Sequence, residues 1–127
     1  VLLLHTVGRK SGKQYVAPLT YYRDGENYLI VASNWGSETP PNWFRNLEKN
    51  PATTIQVRGE AIPVVASQAE AQDEYRRLWE IVSSENGIYL SYEKKVMRQI
   101  PVVIMKICTF LNNIFQKVLP TWECRLL

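Results

Sequence analysis

The densest chemistry in this 127-residue sequence is the run Gly8-Arg9-Lys10-Ser11-Gly12-Lys13, in which cations, a hydroxyl and glycines stand together. Glycines let a short loop turn so that backbone N–H groups point into a concavity, which is the arrangement an anion requires. An arginine grips phosphate oxygens through two parallel hydrogen bonds, and a lysine adds a point charge. The same run would also serve as a solvated basic hairpin, since short motifs often match by chance. A second grouping is aromatic. Trp35, Trp43, Phe44, Tyr89 and Tyr92 flank or lie near Ser33-Asn34 and Asn42, Arg45 and Asn46. Aromatic and amide side chains together suit a flat heteroaromatic ring with polar edges. Taken singly, such residues more often pack a core. Tyr89 and Tyr92 form a third feature: three apart on a helix, they share a face, so both hydroxyls could project into one pocket. A phenol can donate a proton to a substrate oxygen that becomes negative; a half-buried aromatic stripe is the alternative. His5, the single histidine, reads first as a satisfied structural residue, with a ligand contact as the alternative because the basic loop is near. With it, Cys108 and Cys124 make neither a zinc site nor a disulfide framework, so no metal is assigned.

These residues must be positioned by local structure. Residues 1–6 are an apolar run too brief for a stable helix and read as a buried strand. Residues 14–22 read as a second strand, with Pro18 implying an edge or bulge, and Asp24-Gly25 is a hairpin signal. Residues 27–33 are a third strand, near-continuously apolar at Tyr28, Leu29, Ile30 and Val31, which predicts burial on both faces. Residues 34–41 are a loop by composition, followed by a helix over 43–49 with Asn42 as its N-cap and Asn50-Pro51 as its stop. Strands over 53–57 and 60–67 flank the turn Arg58-Gly59, with Pro63 marking another edge or bulge. A helix follows with Tyr75, Leu78, Trp79 and Val82 on one stripe, ending in 83–87. A second helical stretch covers 88–97, and a last strand covers 102–107. In the tail, Phe110, Leu111, Ile114, Phe115, Val118 and Leu119 recur at helical spacing. About six strands joined largely by hairpins, with inserted helices, predict a small antiparallel barrel-like sheet of the α+β class.

Composition bounds the function. The length fits one domain, and 46% apolar with 21% charged residues exclude a disordered chain. A net charge of +3 suits an anionic small ligand but is too weak to indicate nucleic acid. No stretch reads as a spanning helix, because the most apolar one is interrupted by Pro101, Lys106, Asn112, Asn113, Gln116 and Lys117. A cytoplasmic setting is expected.

The run from Leu3 to Lys13 resembles the opening of the deazaflavin (coenzyme F420)-dependent nitroreductase and quinone reductase family. So do Ala17-Pro18-Leu19, Asp24-Gly25, Val31-Ala32-Ser33, Asn42-Trp43-Phe44-Arg45-Asn46-Leu47, Asn50-Pro51, Tyr89-x-x-Tyr92 and Arg98-Gln99-Ile100-Pro101-Val102-Val103. They occur in the family's order and spacing over roughly the first four-fifths of the chain. The resemblance implies a split β-barrel of the FMN-binding type, assigned to residues 1–107; residues 108–127 are left as a tail, amphipathic by its own spacing, with no counterpart in the family pattern. It implies that Arg9, Lys10, Ser11, Gly12 and Lys13 hold the phosphate and nearby linker of F420. By the same resemblance, Ser33 and Asn34 lie along the deazaflavin, and Trp43, Phe44, Arg45 and Asn46 cover the ring and acidic tail. Tyr92, with Tyr89, faces the substrate. The chain departs from the family pattern at Trp35-Gly36, where two small glycines are usual, at Phe44, usually Tyr, and at Arg45, usually His.

The expected activity is hydride transfer from reduced F420 to a quinone, nitroaromatic or other electron-poor acceptor. Tyr92, Tyr89 and Ser33 are its candidate catalytic residues. The cofactor does the electronic work, and the protein binds, orients and excludes water. A carrier of F420 or flavin without catalysis, or an FMN-dependent oxidoreductase of similar barrel fold, are the alternatives. The tail is left with three roles: covering the barrel, a homodimer contact, or a peripheral membrane contact.

Overall fold

The protein is described by a computed structural model over residues 1–108. The amphipathic helix expected in the tail lies outside the described residues. Strand β1 (Leu2–Val7) turns back through residues 8–13 into β2 (Gln14–Leu19), pairing Leu4 with Ala17. Strands β3 (Tyr22–Asp24) and β4 (Asn27–Val31) form the hairpin around Gly25, whose φ of 61° is a left-handed conformation that glycine adopts without penalty. Helix α1 (Asn42–Lys49), strands β5 (Ala52–Val57) and β6 (Glu60–Gln68), helices α2 (Gln72–Glu85) and α3 (Ile88–Lys95), and strand β7 (Val102–Ile107) complete the order.

All seven strands belong to one antiparallel sheet in the order β2-β1-β5-β6-β7-β4-β3, curled into a half-barrel. The sequence pattern suggests about six, because 14–22 reads as one uninterrupted strand. In the structure it breaks at Thr20 and Tyr21, and its two pieces stand at opposite edges of the sheet. Leu19 and Tyr21, on either side of the break, both pack against the inner core. The proline at 18 sits in edge strand β2, where its missing N–H breaks no inner ladder. Pro63 lies in an inner strand but at the end of its pairing with β7, whose register begins at Val64; on that flank its carbonyl still accepts from the Cys108 N–H at 2.9 Å.

Period-two alternation sorts the side chains into two cores. Leu2, Leu4, Tyr28, Ile30, Ile55 and Met105 point into the half-barrel, where Phe44 and Leu47 of α1 plug it. Leu29, Val102 and Ile104 point outward and receive the α2 stripe Tyr75, Leu78, Trp79 and Val82. Strands β4 and β7 are thus buried on both faces, which is why their sequences are continuously apolar. Helix α2 ends at Glu85, within the expected 83–87, after passing through Ser83 and Ser84, whose hydroxyls bond back to the carbonyls of Glu80 and Ile81. Arg77 of α2 is bidentate to Asp24 at the end of β3 at 3.0 Å, and this pairing holds the Asp24 carboxyl below the usual carboxylate range. Among the described residues, no helix is long and apolar enough to cross a membrane.

Candidate functional site

The basic loop is folded on itself and fastened to α1. Gly8 N–H donates to the Lys13 carbonyl at 2.7 Å, and Gly12 N–H donates to the Gly8 carbonyl at 3.0 Å. Gly8 lets the side chains of Ser11 and Tyr15 settle against the loop backbone: a Cβ there would lie 2.7 Å from Ser11 Oγ and 2.8 Å from the Tyr15 ring, so these exposed groups would have to shift. Asn46, only 5% exposed, organises the contact with α1. Its Oδ1 accepts from the Arg9 backbone N–H at 3.2 Å and from the Arg9 guanidinium at 3.1 Å, while its Nδ2 donates to Thr6 Oγ1 at 3.3 Å. Asn42 Oδ1 accepts from the other end of the guanidinium at 3.5 Å, and Lys49 Nζ donates to the Arg9 carbonyl at 2.9 Å. Asn42 is therefore the first helical residue, with Pro41 at the cap position, because its side chain serves Arg9 and not the helix N-terminus.

Beside this loop lies a cavity of about 470 Å³ walled by Arg9, Lys10, Ser11, Tyr15, Asn42 and Trp43, among others. A second cavity, of about 340 Å³, shares the Trp43 wall and is lined by Ser33, Asn34, Trp35, Tyr89 and Tyr92. The fold thus gathers residues from the β1–β2 loop, the segment after β4, α1 and α3 around one indole. Trp43 meets Phe44 edge-on, with ring centroids 6.5 Å apart. Phe44 faces the inner core, Arg45 is on the surface paired with Glu48 at 2.8 Å, and Gly12 and Lys13 stand outside the walls of both cavities. His5 bonds Gln56 at 2.9 Å, the structural role the sequence suggests.

The turn after β4 has an unusual backbone. Asn34, Trp35 and Gly36 all have positive φ, at 47°, 59° and 77°. Arg98 holds this turn, donating to the carbonyls of Ser37 at 3.0 Å, Ala32 at 3.1 Å and Ser33 at 3.0 Å. The Asn34 amide adds a bond to the Thr39 carbonyl at 3.0 Å. The sequence shows Arg98 within a matching motif but gives no sign of this clamp, because its acceptors are backbone carbonyls some sixty residues away.

The two tyrosines of α3 differ. Tyr89 is buried and accepts a hydrogen bond from Tyr22 Oη at 2.9 Å, and Tyr22 in turn accepts one from the Asn86 amide at 3.4 Å. Burial pushes the Tyr89 phenol well above the ordinary tyrosine value. Tyr92 is half-buried, and among the described residues its hydroxyl makes no hydrogen bond. Sequence reasoning missed Tyr22 and Asn86, since Tyr22 reads as an ordinary strand residue and meets Tyr89 only through the fold.

A single antiparallel sheet curled into a half-barrel, plugged by α1 and covered outside by α2, places the chain in the split-barrel class of folds. The family model for F420H2-dependent quinone reductases matches residues 1–106. An F420H2-dependent quinone reductase of Mycobacterium tuberculosis is 42% identical over 106 residues, covering 82% of this chain and 71% of the relative. The solved structure of an F420-H2 dependent reductase, FDR-A, superposes with a TM-score of 0.74 at 30% identity, covering 83% of this chain and 92% of that one. A domain-swapped dimer superposes at 0.75 with 31% identity, covering 83% and 78%. The heme storage protein HutZ of Vibrio cholerae, at 18% identity and a TM-score of 0.64, covering 84% and 80%, shares the fold alone. This chain belongs to the F420H2-dependent quinone reductase family. With that membership come an F420-dependent oxidoreductase class and coenzyme F420 as the cofactor.

Proposed function

We propose that the chain transfers a hydride from reduced F420 to a quinone, nitroaromatic or similar electron-poor acceptor, using the two cavities that meet at Trp43. The observation that carries this reading is the division of labour between them. One has a pinned guanidinium, an ammonium and a hydroxyl on its wall, which suits a phosphate and its acidic linker. The other is walled by aromatic rings, a serine and an amide, which suits a flat ring and a guest beside it.

The donor set fits the cofactor. Arg9, Lys10 and Ser11 would hold its phosphate, with Gly12 and Lys13 completing the loop. Trp43 would stand between the phosphate end and the ring, and Ser33 and Asn34 would lie along the ring. Asn46 acts through Arg9, whose guanidinium it aims. Phe44 supports Trp43 from the core side, and Arg45 sits at the surface where an acidic tail would emerge.

When bound, reduced F420 supplies the hydride. The chain's own residues hold and steer the proton. Tyr92, with a hydroxyl that bonds nothing else among the described residues, donates to the acceptor oxygen as negative charge grows there. Tyr89, with its ordinary value raised by burial, keeps its proton and shapes the cavity wall as a neutral donor. Ser33 adds a hydroxyl at the ring's edge. Homodimer formation is a further part of this reading, supported by the domain-swapped relative.

The test is a fluorescence titration of purified protein with F420 and, separately, with FMN. F420 is expected to bind more tightly. A double Arg9→Ala, Lys10→Ala variant should weaken it by about a hundredfold at low salt, with a smaller loss at high salt. No F420 binding by the unaltered protein would overturn the reading.

A further inference from the structure

We propose that Trp35 is the specificity-determining wall of the acceptor cavity, an indole face on which a flat, electron-poor ring stacks; this rests on the function proposed above. Its backbone lies at φ 59° and ψ 26°. A bulky side chain rarely occupies this left-handed region, because Cβ crowds the following carbonyl. The indole is 83% exposed, so burial does not offset that cost. Yet the turn is firmly built: Arg98 bonds three carbonyls around it, and the Asn34 amide ties it to Thr39. A conformation that its own residue disfavours, held by surrounding groups, marks a place where presentation matters more than packing.

What the turn presents is the cavity. Trp35 lines it together with Ser33, Asn34 and Tyr92. The next residue ties the turn to the candidate proton donor: a Cβ built at Gly36 would lie 2.8 Å from the Tyr92 ring. Only a glycine lets the backbone pass this close, and its φ of 77° continues the left-handed path. Trp35 and Tyr92 are therefore set at the same cavity by one short turn. Single exposed apolar residues are ordinary on protein surfaces. What distinguishes Trp35 is that its exposure, its backbone and its clamp coincide at a cavity wall. An indole face carries negative quadrupole charge and stacks well on an electron-poor ring such as a quinone or nitroarene.

The experiment compares Trp35→Gly and Trp35→Phe with the unaltered protein. Three equilibrium measurements are made on each, beside the kinetics: F420 titration, calorimetric binding of 1,4-naphthoquinone to protein carrying oxidised F420, and thermal melting. Steady-state reduction of 1,4-naphthoquinone by F420H2 supplies KM and kcat. Trp35→Gly should raise the naphthoquinone Kd and KM about five- to tenfold, while Trp35→Phe keeps both within about twofold. The melting temperature of Trp35→Gly should hold or rise, because glycine accepts the left-handed backbone. An unchanged naphthoquinone Kd with F420 bound overturns this proposal and leaves the proposed function standing. So does a marked fall in melting temperature for Trp35→Gly, which would make the indole a packing residue. Failure of F420 to bind the unaltered protein overturns both.

Discussion

The loop at Gly8–Lys13 is fixed by hydrogen bonds from a neighbouring helix, whereas the turn at Asn34–Gly36 is fixed in a backbone that its central residue, Trp35, disfavours. In the first, Asn46 is buried and its amide is used on both sides, so Arg9 is oriented before any ligand arrives. In the second, Arg98 supplies the restraint, and the groups facing the cavity are left available: an exposed indole, the Ser33 hydroxyl and the Tyr92 hydroxyl. Under the proposed function, the contrast separates holding from reacting. A binding end benefits from groups with fixed geometry, since less freedom is lost on association. A reacting end benefits from groups whose bonding capacity is unspent until the guest arrives.

Four substitutions probe this contrast. The largest effect should come from Tyr92→Phe, which removes the hydroxyl without emptying the space. Turnover should fall about a hundredfold while F420 affinity barely moves. Equal turnover would take Tyr92 out of the donor role. Next come the two restraints, one for each end. Arg98→Met strips three carbonyls of their donor and should cost about 2–3 kcal/mol in a denaturant melt, with turnover reduced and F420 affinity largely kept. Asn46→Ala leaves the Arg9 N–H and Thr6 without their partner and should cost about 2 kcal/mol, with F420 binding weakened and turnover at saturation kept. If both variants altered binding and turnover alike, the division between the ends would be lost.

The smallest effect lies away from the site and serves as a control. Tyr75 Oη donates to the Ile100 carbonyl at 2.6 Å, and burial pushes its phenol up to about 12. The unfolded chain releases this proton near pH 10. Between that value and about 12 the folded state holds a proton that the unfolded state has lost, so stability falls as pH rises through this window and is unaffected below it. Tyr75→Phe should flatten that decline in alkaline melts, at a cost of about 1 kcal/mol at neutral pH. Some slope should remain, because Tyr89 is shifted in the same direction.

Much of this architecture was legible because local rules and tertiary demands agree. The hairpin that Asp24-Gly25 signals is present, with Gly25 and Glu26 at its tip and Asp24 closing β3, Arg58-Gly59 is a turn, and the α2 stripe falls on the outer core as its period requires. The break at Thr20 and Tyr21 was not legible, since both residues suit a strand and only the curl of the sheet sends them to the far edge. At the site, the Gly8–Lys13 run stood out by residue type, and Tyr89 and Tyr92 by spacing. The inner workings did not. Asn46 looks like any polar helix residue until Arg9 is brought against it, and Arg98 looks like a surface cation until its carbonyl acceptors come from across the fold. Phe44 and Arg45 show the converse: neighbours in a helical motif point to opposite surroundings, so a motif as a string overstates how many of its members face a ligand.

The placement of β2 and β3 at opposite margins of one sheet also sets an order of assembly. The β1–β2, β3–β4 and β5–β6 hairpins close short loops and can form early, whereas Tyr28 must find Met105 before the half-barrel is complete. Distant pairings of this kind slow folding, because chain entropy is lost before the contacts that reward it exist. The Gly8–Lys13 loop, carried on a local hairpin, should thus be shaped early, while Tyr92 and Arg98 reach the Ser33 turn only as β7 docks. Hydrogen-exchange labelling during refolding would record that sequence as early protection at Leu4 and late protection at Ile30.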